Sequence, residues 1–301
     1  MSPIFSNLSC ALRWTGLLMA FFSITGCAMH LINALTPGSG ATHIPALSYG
    51  EHPRHKFDLY RPEQGDNLPV VVFIHGGYWS SGERSEYRFV GETLAQRGYL
   101  AVIISYRLFP EVRFPAFIED AASAVAAVRK IAAQYGGDPK QLYVGGHSAG
   151  AHSALMLALD ERYLRAEGGS PAWLSGVFGL SGPYDFLPPK AKKVAAIFGP
   201  PERYPEGNTV NFVSASHPPA LLIHGRDDTT VSVRNSQRLV ELLQSAGSSA
   251  ELFVSDGGHV APLLAFSGLK RRRSDMLDAL DNWISAPRQI DTNEDILAEA
   301  Q

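Results

Sequence analysis

The sequence predicts an α/β fold, a mostly parallel central sheet with helices on both faces. Strand-like and helix-like stretches alternate along nearly the whole chain. The strand-like runs are almost continuously apolar rather than alternating, which marks strands covered on both faces. A chain of 301 residues with 45% hydrophobic and 18% charged residues also suits one large globular domain.

Taken in order, His55–Tyr60 reads as an early antiparallel strand. Val70–Ile74, Ala101–Ser105, Gln141–Val144, Gly176–Leu180, Ala220–Ile223 and Glu251–Val254 read as largely buried strands. Between and after them, Glu86–Gln96, Phe117–Gln134, Ala149–Leu159, Val233–Ser245 and Arg273–Trp283 carry helical patterns. Pro183–Pro219 is the least regular stretch. It is rich in proline and reads as a small lid or substrate-facing insertion, with a plain surface loop as the alternative. Internal repeats are absent, and the tail 287–301 is acidic and weakly apolar, as in disordered termini.

Chemistry concentrates where strands end. Gly146-His147-Ser148-Ala149-Gly150 lies between a strand run and a helix run, the setting of a nucleophile elbow. A serine hydroxyl is a weak nucleophile at neutral pH. A tight strand-to-helix turn exposes its oxygen, flanking glycines relieve backbone crowding, and the helix N-terminus favours developing negative charge. His75-Gly76-Gly77-Tyr78-Trp79 follows the run Val70–Ile74, in the position of a loop that supplies an oxyanion hole. The expected donors are the N–H groups of Gly77 and Tyr78, joined by that of Ala149. A substitution such as Gly77→Val is expected to lower turnover while folding largely survives.

An acid and a base follow in the chain order Ser, Asp, His. Asp228 stands in the loop that ends the run Ala220–Ile223, with Asp227 as its rival, and spacing alone separates them poorly. His259 follows the strand Glu251–Val254 and would take the Ser148 proton and return it to the leaving group, while Asp228 holds its tautomer. His75, His147, His152 and His224 read as satisfied polar residues beside the site. Val260, Leu263, Leu264 and Phe266, just after His259, read first as helix packing, with pocket lining as the alternative. No histidine shows recognisable metal-ligand spacing, so neither metal nor cofactor is expected.

Together HGGYW, Tyr135-Gly136-Gly137-Asp138-Pro139, GHSAGAH through His152, HGRDD and GGH resemble the carboxylesterase branch of the α/β-hydrolase superfamily, near kynurenine formamidases and prenylcysteine methylesterases. The resemblance covers about Tyr60 to Ile284. It implies an α/β-hydrolase fold and a metal-free serine hydrolase with triad Ser148, Asp228 and His259, because the acid of the family's HGxxD motif falls on Asp228. Where hormone-sensitive-lipase-like members usually carry a third glycine, Tyr78 and Trp79 stand, as in formamidase-like members. The short stretch from Pro53 to Tyr60 leaves little room for a large N-terminal cap, which argues against long-chain triglycerides and for short or medium acyl esters. The alternatives are an arylformamidase, and a non-catalytic envelope binding module. Such a module usually loses its nucleophile, base or oxyanion glycines, and all are present here.

The N-terminus indicates location. Arg13 precedes the apolar run Leu17–Phe22, and Ile24-Thr25-Gly26-Cys27 resembles a bacterial lipobox. The expected organisation is a signal peptide over 1–26, lipidation at Cys27, a tether over 27–50 and a catalytic domain over 51–286. Ala28 after the cysteine favours the outer membrane of a Gram-negative host. The expected partners are then a small-molecule ester and the membrane, through the lipid anchor at Cys27. Of the two cysteines, Cys10 would leave with the signal and Cys27 would be lipidated, so no disulfide is expected in the mature chain. A net charge of −3 gives no support for nucleic-acid binding. The run Lys270-Arg271-Arg272-Arg273 reads as a solvated helix end, with contact to anionic headgroups as the alternative.

Overall fold

A computed structural model describes residues 31–34, 36, 40–267 and 275–286. The expected signal peptide and lipidation site at Cys27, the Lys270–Arg273 run and the tail 287–301 lie outside the described residues. Eight strands form one sheet: β1 (Thr42–Ser48), β2 (Lys56–Arg61), β3 (Leu68–Ile74), β4 (Leu100–Ile104), β5 (Gly137–His147), β6 (Leu174–Leu180), β7 (Ala220–Gly225) and β8 (Ala250–Ser255). Their spatial order is β1-β2-β4-β3-β5-β6-β7-β8. The β1–β2 and β2–β4 pairs are antiparallel and all later pairs are parallel.

The continuous apolar runs have a simple cause. Successive strand side chains point to opposite faces, so a strand covered on both sides needs an apolar residue at every position. In β3, Val70, Val72 and Ile74 enter the core on one face while Val71 and Phe73 enter the core on the other. Each such side chain contributes about 1.5–3 kcal/mol when fully buried. The first face is covered by α2 (Ala116–Ile131), α3 (Ala149–Leu159) and α6 (Arg234–Ser245), through residues such as Phe117, Leu155 and Leu239. The second is covered by α1 (Arg88–Gln96) and α7 (Asp275–Ser285), through Phe89, Leu94, Leu277 and Trp283. Two shorter helices, α4 (Glu161–Ala166) and α5 (Lys192–Phe198), lie between β5 and β7 in the chain.

The sheet begins earlier than expected. The stretch expected to be tether as far as residue 50 contains β1, paired with β2 from Thr42↔Arg61 to Ser48↔Lys56. Its sequence THIPALS is mostly exposed and is interrupted by an irregularity between Ile44 and Leu47, with Ala46 at φ +58°. An edge strand with one proline and a bulge carries no buried alternation, so periodicity could not reveal it.

The order β4-β3-β5 contains the switch that places the site. From β3 the chain moves one way to β4, then crosses to the other side of β3 for β5. A crevice therefore opens beyond the carboxyl ends of β3 and β5. Parallel pairing in register, Ile74 with Gly146, brings the loop after β3 beside the turn after β5.

Candidate active site

Ser148 occupies the turn between β5 and α3 at φ +55° and ψ −117°, a conformation costly for a residue with a side chain. Its neighbours make the turn possible. A Cβ on Gly146 would stand 2.4 Å from the Gly150 carbonyl carbon and 2.7 Å from Ile74 O, and one on Gly150 would stand 2.0 Å from Ile74 O. Both glycines are thus required by backbone contact and not by turn flexibility alone. The Ser148 N–H donates to Leu180 O at 2.8 Å, which ties the elbow to the end of β6.

Three sequence-distant side chains meet here. Ser148 Oγ lies 2.9 Å from His259 Nε2, and His259 Nδ1 lies 2.8 Å from Asp228 Oδ2. The second oxygen of Asp228 accepts from the N–H groups of Thr230 at 2.8 Å and Val231 at 2.9 Å. Burial pushes this carboxyl up, but hydrogen bonds from His224, His259 and Val231 outweigh it and hold Asp228 well below the usual carboxylate range. An ionised Asp228 accepts only. The His259 proton therefore sits on Nδ1, and Nε2 is free to take the serine proton. Asp227 is exposed, and its N–H is spent on Gly257 O at 2.9 Å. The rivalry left open by spacing is thus decided by which carboxylate turns inward.

The loop after β3 is held from several sides. Tyr106 donates its hydroxyl to His75 O at 2.9 Å, and the Gly76 N–H donates to the Tyr87 hydroxyl at 3.2 Å. Gly77 O accepts from the N–H groups of Ser80 and Ser81, both at 3.0 Å. Among the described residues, the N–H groups of Gly77, Tyr78 and Ala149 donate to no protein acceptor. The three donors expected from sequence are thus uncommitted, whereas that of Gly76 is taken.

Gly77 is no clean site for testing the loop, contrary to the expectation that folding would survive its replacement. It sits at φ +122°, and a Cβ there would stand 2.1 Å from Ser81 O. Any side chain at this position disrupts the loop itself. Gly76 serves a different purpose: its missing Cβ lets the loop lie against His147 and the Ser148 Cβ.

The surrounding histidines differ in what they do. His75 and His152 are fully buried, and burial lowers each to about 4. Burial, with the neighbouring His259, lowers His147 to about 3. Neutral His147 donates Nε2–H to the His259 backbone carbonyl at 3.1 Å, so the variable residue of the elbow helps place the base. His224 was underestimated by sequence reasoning. Its Nε2 lies 3.1 Å from Asp228 Oδ2 and 2.9 Å from Val231 O, and its Nδ1 lies 2.8 Å from Ser236 Oγ. The available signal was the four-residue spacing of His224 and Asp228 around a strand-ending turn.

The segment 183–219 is folded against the site. It contains α5 and a short helical turn at Tyr204–Gly207, and it buries Tyr184, Leu187, Ile197 and Phe198. Asn208 fastens it internally, accepting from the N–H groups of Phe186 and Leu187 and donating to Leu187 O, each at 3.0 Å. Trp79, in the donor loop, stacks on Phe186 at 5.6 Å and meets Phe198 edge-on at 4.7 Å. His152, from α3, donates Nε2–H to Gly207 O at 2.9 Å. After His259, Leu263 and Phe266 join the core beneath the sheet, as helix packing predicts, while Val260 is exposed.

A serine-histidine-aspartate line at the carboxyl edge of a mostly parallel, helix-covered sheet, with free amide donors beside the serine, defines an α/β-hydrolase fold of the serine-hydrolase type. Residues 57–243 match the profile of one family, BD-FAE, and the chain belongs to it. The isoprenylcysteine alpha-carbonyl methylesterase ICME of Arabidopsis thaliana is 29% identical over 84% of this chain and 64% of its own length. Esterase LipC of Mycobacterium tuberculosis is 30% identical over 74% of this chain and 60% of its own length. The chain thus spans less than two thirds of either relative. Among solved structures, the inhibited esterase B of Lactobacillus rhamnosis superposes with a TM-score of 0.74 at 21% identity, covering 95% of this chain and 99% of that one. This last likeness concerns the fold.

Proposed function

We propose that this chain is a carboxylic ester hydrolase acting on short or medium acyl esters through an acyl-enzyme. The observation that carries the reading is the continuous hydrogen-bonded line from Ser148 Oγ through His259 to Asp228 Oδ2. Ser148 Oγ attacks the ester carbonyl while His259 Nε2 takes its proton. The N–H groups of Gly77, Tyr78 and Ala149 receive the developing oxyanion, each contributing about 3 kcal/mol to lowering the barrier. His259 then protonates the leaving alcohol, and water enters by the same base to release the acid. Ester rather than formamide hydrolysis is favoured because the named relatives are esterases.

A panel of p-nitrophenyl esters from acetate to palmitate, with N-formylkynurenine and a prenylcysteine methyl ester added, tests this. Turnover is expected to peak at short or medium acyl chains. A maximum at palmitate overturns the chain-length reading, and a larger kcat/KM on N-formylkynurenine than on every ester overturns the ester reading.

We further propose that the protein is tethered to the bacterial envelope, at the outer membrane of a Gram-negative host, through a lipidated Cys27. The support is the sequence Ile24-Thr25-Gly26-Cys27 behind a short apolar run. Among the described residues no helix is long and apolar enough to cross a membrane. Several acyl chains, at ~0.8 kcal/mol per buried methylene, would hold it there. Labelling with a palmitate analogue should mark wild type and spare Cys27→Ser; equal labelling of both refutes the anchor.

A further inference from the structure

His224 is fully buried at the end of β7, with no contact to the serine and no place in the proton path from Ser148 to His259. Its ring nevertheless reaches the acid. Nε2 faces two acceptors, Val231 O at 2.9 Å and Asp228 Oδ2 at 3.1 Å, so it must carry a hydrogen and aim it between them. Nδ1 faces Ser236 Oγ, 2.8 Å away on α6, and Ser236 is itself fully buried. Asp228 Oδ2 is thereby shared between two histidines, while Oδ1 is held by the amides of Thr230 and Val231.

We propose that His224, oriented by Ser236, is a positioning residue for the acid of the triad: it locks the Asp228 carboxylate toward His259 and sets how strongly that carboxylate pulls on the His259 proton. This rests on the reading of Ser148, His259 and Asp228 given above. Four bonds leave the carboxylate one orientation. Two of them, from Thr230 and Val231, come from its own turn and would persist if the turn swung as a unit. The bond from His224 is different, because it ties the same oxygen that serves His259 to β7 and, through Ser236, to α6.

The consequence has a definite sign. A donor on Oδ2 draws charge away from His259. Removing it leaves the full carboxylate charge facing the imidazolium, which raises the affinity of His259 for its proton. The other titratable groups facing this pair are His147, whose ring lies 5.0 Å from that of His259, and Tyr78 in the donor loop, which feels the Asp228 charge. His147 also feels His224, but burial keeps it neutral through the pH range of the titration, so the shift on removing His224 belongs to the His224 contact.

The test compares His224→Leu, His224→Gln and Ser236→Ala with wild type by an NMR titration of the His259 ring and by the pH profile of kcat/KM on a p-nitrophenyl ester. His224→Leu should lower kcat about tenfold with KM little changed, and should raise the His259 titration and the acid limb by about half a unit or more. His224→Gln restores an N–H toward Oδ2 and should recover most of both. Ser236→Ala keeps the ring and should shift the titration by less, in the same direction; it decides the matter if His224→Leu fails to fold. A His259 titration unmoved in every folded variant, or a His224→Gln no better than His224→Leu, overturns the proposal. Because the NMR titration needs no substrate, it remains decisive even if wild type hydrolyses none of the esters, an outcome that would refute the functional reading instead.

Discussion

Replacing Asp228 with asparagine changes one oxygen to an amide nitrogen and nothing in volume. In the native site, Oδ1 accepts from two backbone N–H groups and Oδ2 accepts from His259 Nδ1 at 2.8 Å and His224 Nε2 at 3.1 Å. An asparagine can satisfy one pair only. With its oxygen on the backbone amides, its NH2 faces two histidine nitrogens. His259 must then present the lone pair of Nδ1 to that NH2 and carry its hydrogen on Nε2, which can no longer accept the serine proton. With the amide reversed, the NH2 is pressed against the N–H groups of Thr230 and Val231, forfeiting two bonds worth about 1.5–3 kcal/mol each in their charged form. The first arrangement is therefore preferred, and it holds the base in the wrong tautomer. A wrong tautomer of this kind lowers kcat by about 10⁴, or roughly 5.5 kcal/mol of barrier. The assay is kcat on p-nitrophenyl butyrate with thermal unfolding measured alongside. Asp227→Asn is the control: its side chain is exposed and outside the network, so kcat should change less than about twofold. The reasoning fails if folded Asp228→Asn keeps more than about a tenth of wild-type kcat, or if the loss at position 227 exceeds that at 228.

Ser148→Ala and His259→Ala should each abolish nearly all turnover, and the double variant should be no worse than either, since the two act as one unit; additive losses in single-turnover kinetics contradict this. Trp79→Ala removes stacking on Phe186 and the edge contact with Phe198, so it should cost about 3–5 kcal/mol of stability and expose 183–219 to proteolysis before the rest of the fold. An unchanged urea midpoint would show that the segment is held independently. His75, His147 and His152 stay neutral when folded, at about 4, 3 and 4, while the unfolded chain binds protons on all three below about 6.5. Their contribution to stability is full above that pH and is lost as pH falls toward 4, at up to about 1.4 kcal/mol per pH unit for each. Urea unfolding between pH 7.5 and 4 should show this decline starting above the carboxylate range, and a flat profile from pH 6.5 to 4.5 refutes it.

The strands β3, β4, β6 and β7, with the second half of β5, were legible because each is buried on both faces and so is apolar almost throughout: Val70 to Ile74 could serve nothing but an interior strand. The strand expected to be largely buried over Glu251–Val254 is instead the sheet's far edge, where Glu251 is exposed and Leu252, Phe253 and Val254 are only half-buried. The elbow was legible because Gly146, Ser148 and Gly150 answer backbone collisions that recur wherever a serine is presented at such a turn. Helix ends moved by a few residues, and β1 escaped notice because one exposed edge with Pro45 and a bulge leaves no pattern.

Which carboxylate serves the base was a matter of direction, not of type. Asp227 and Asp228 are adjacent in a loop without periodicity, and the bonds from Thr230 and Val231 turn Asp228 inward. Likewise Gly76 and Gly77 look alike in sequence, yet the first gives its N–H to Tyr87 and the second keeps its own free, because Tyr87 arrives from a separate segment. His224 reads as an ordinary strand-end residue until α6 brings Ser236 to one nitrogen and the turn brings Asp228 to the other. Burial periodicity and backbone strain are written locally, residue against neighbour, and can be read from the chain alone. The partner of a loop side chain is set by where the sheet order brings distant segments together, and that exists only once the chain has folded.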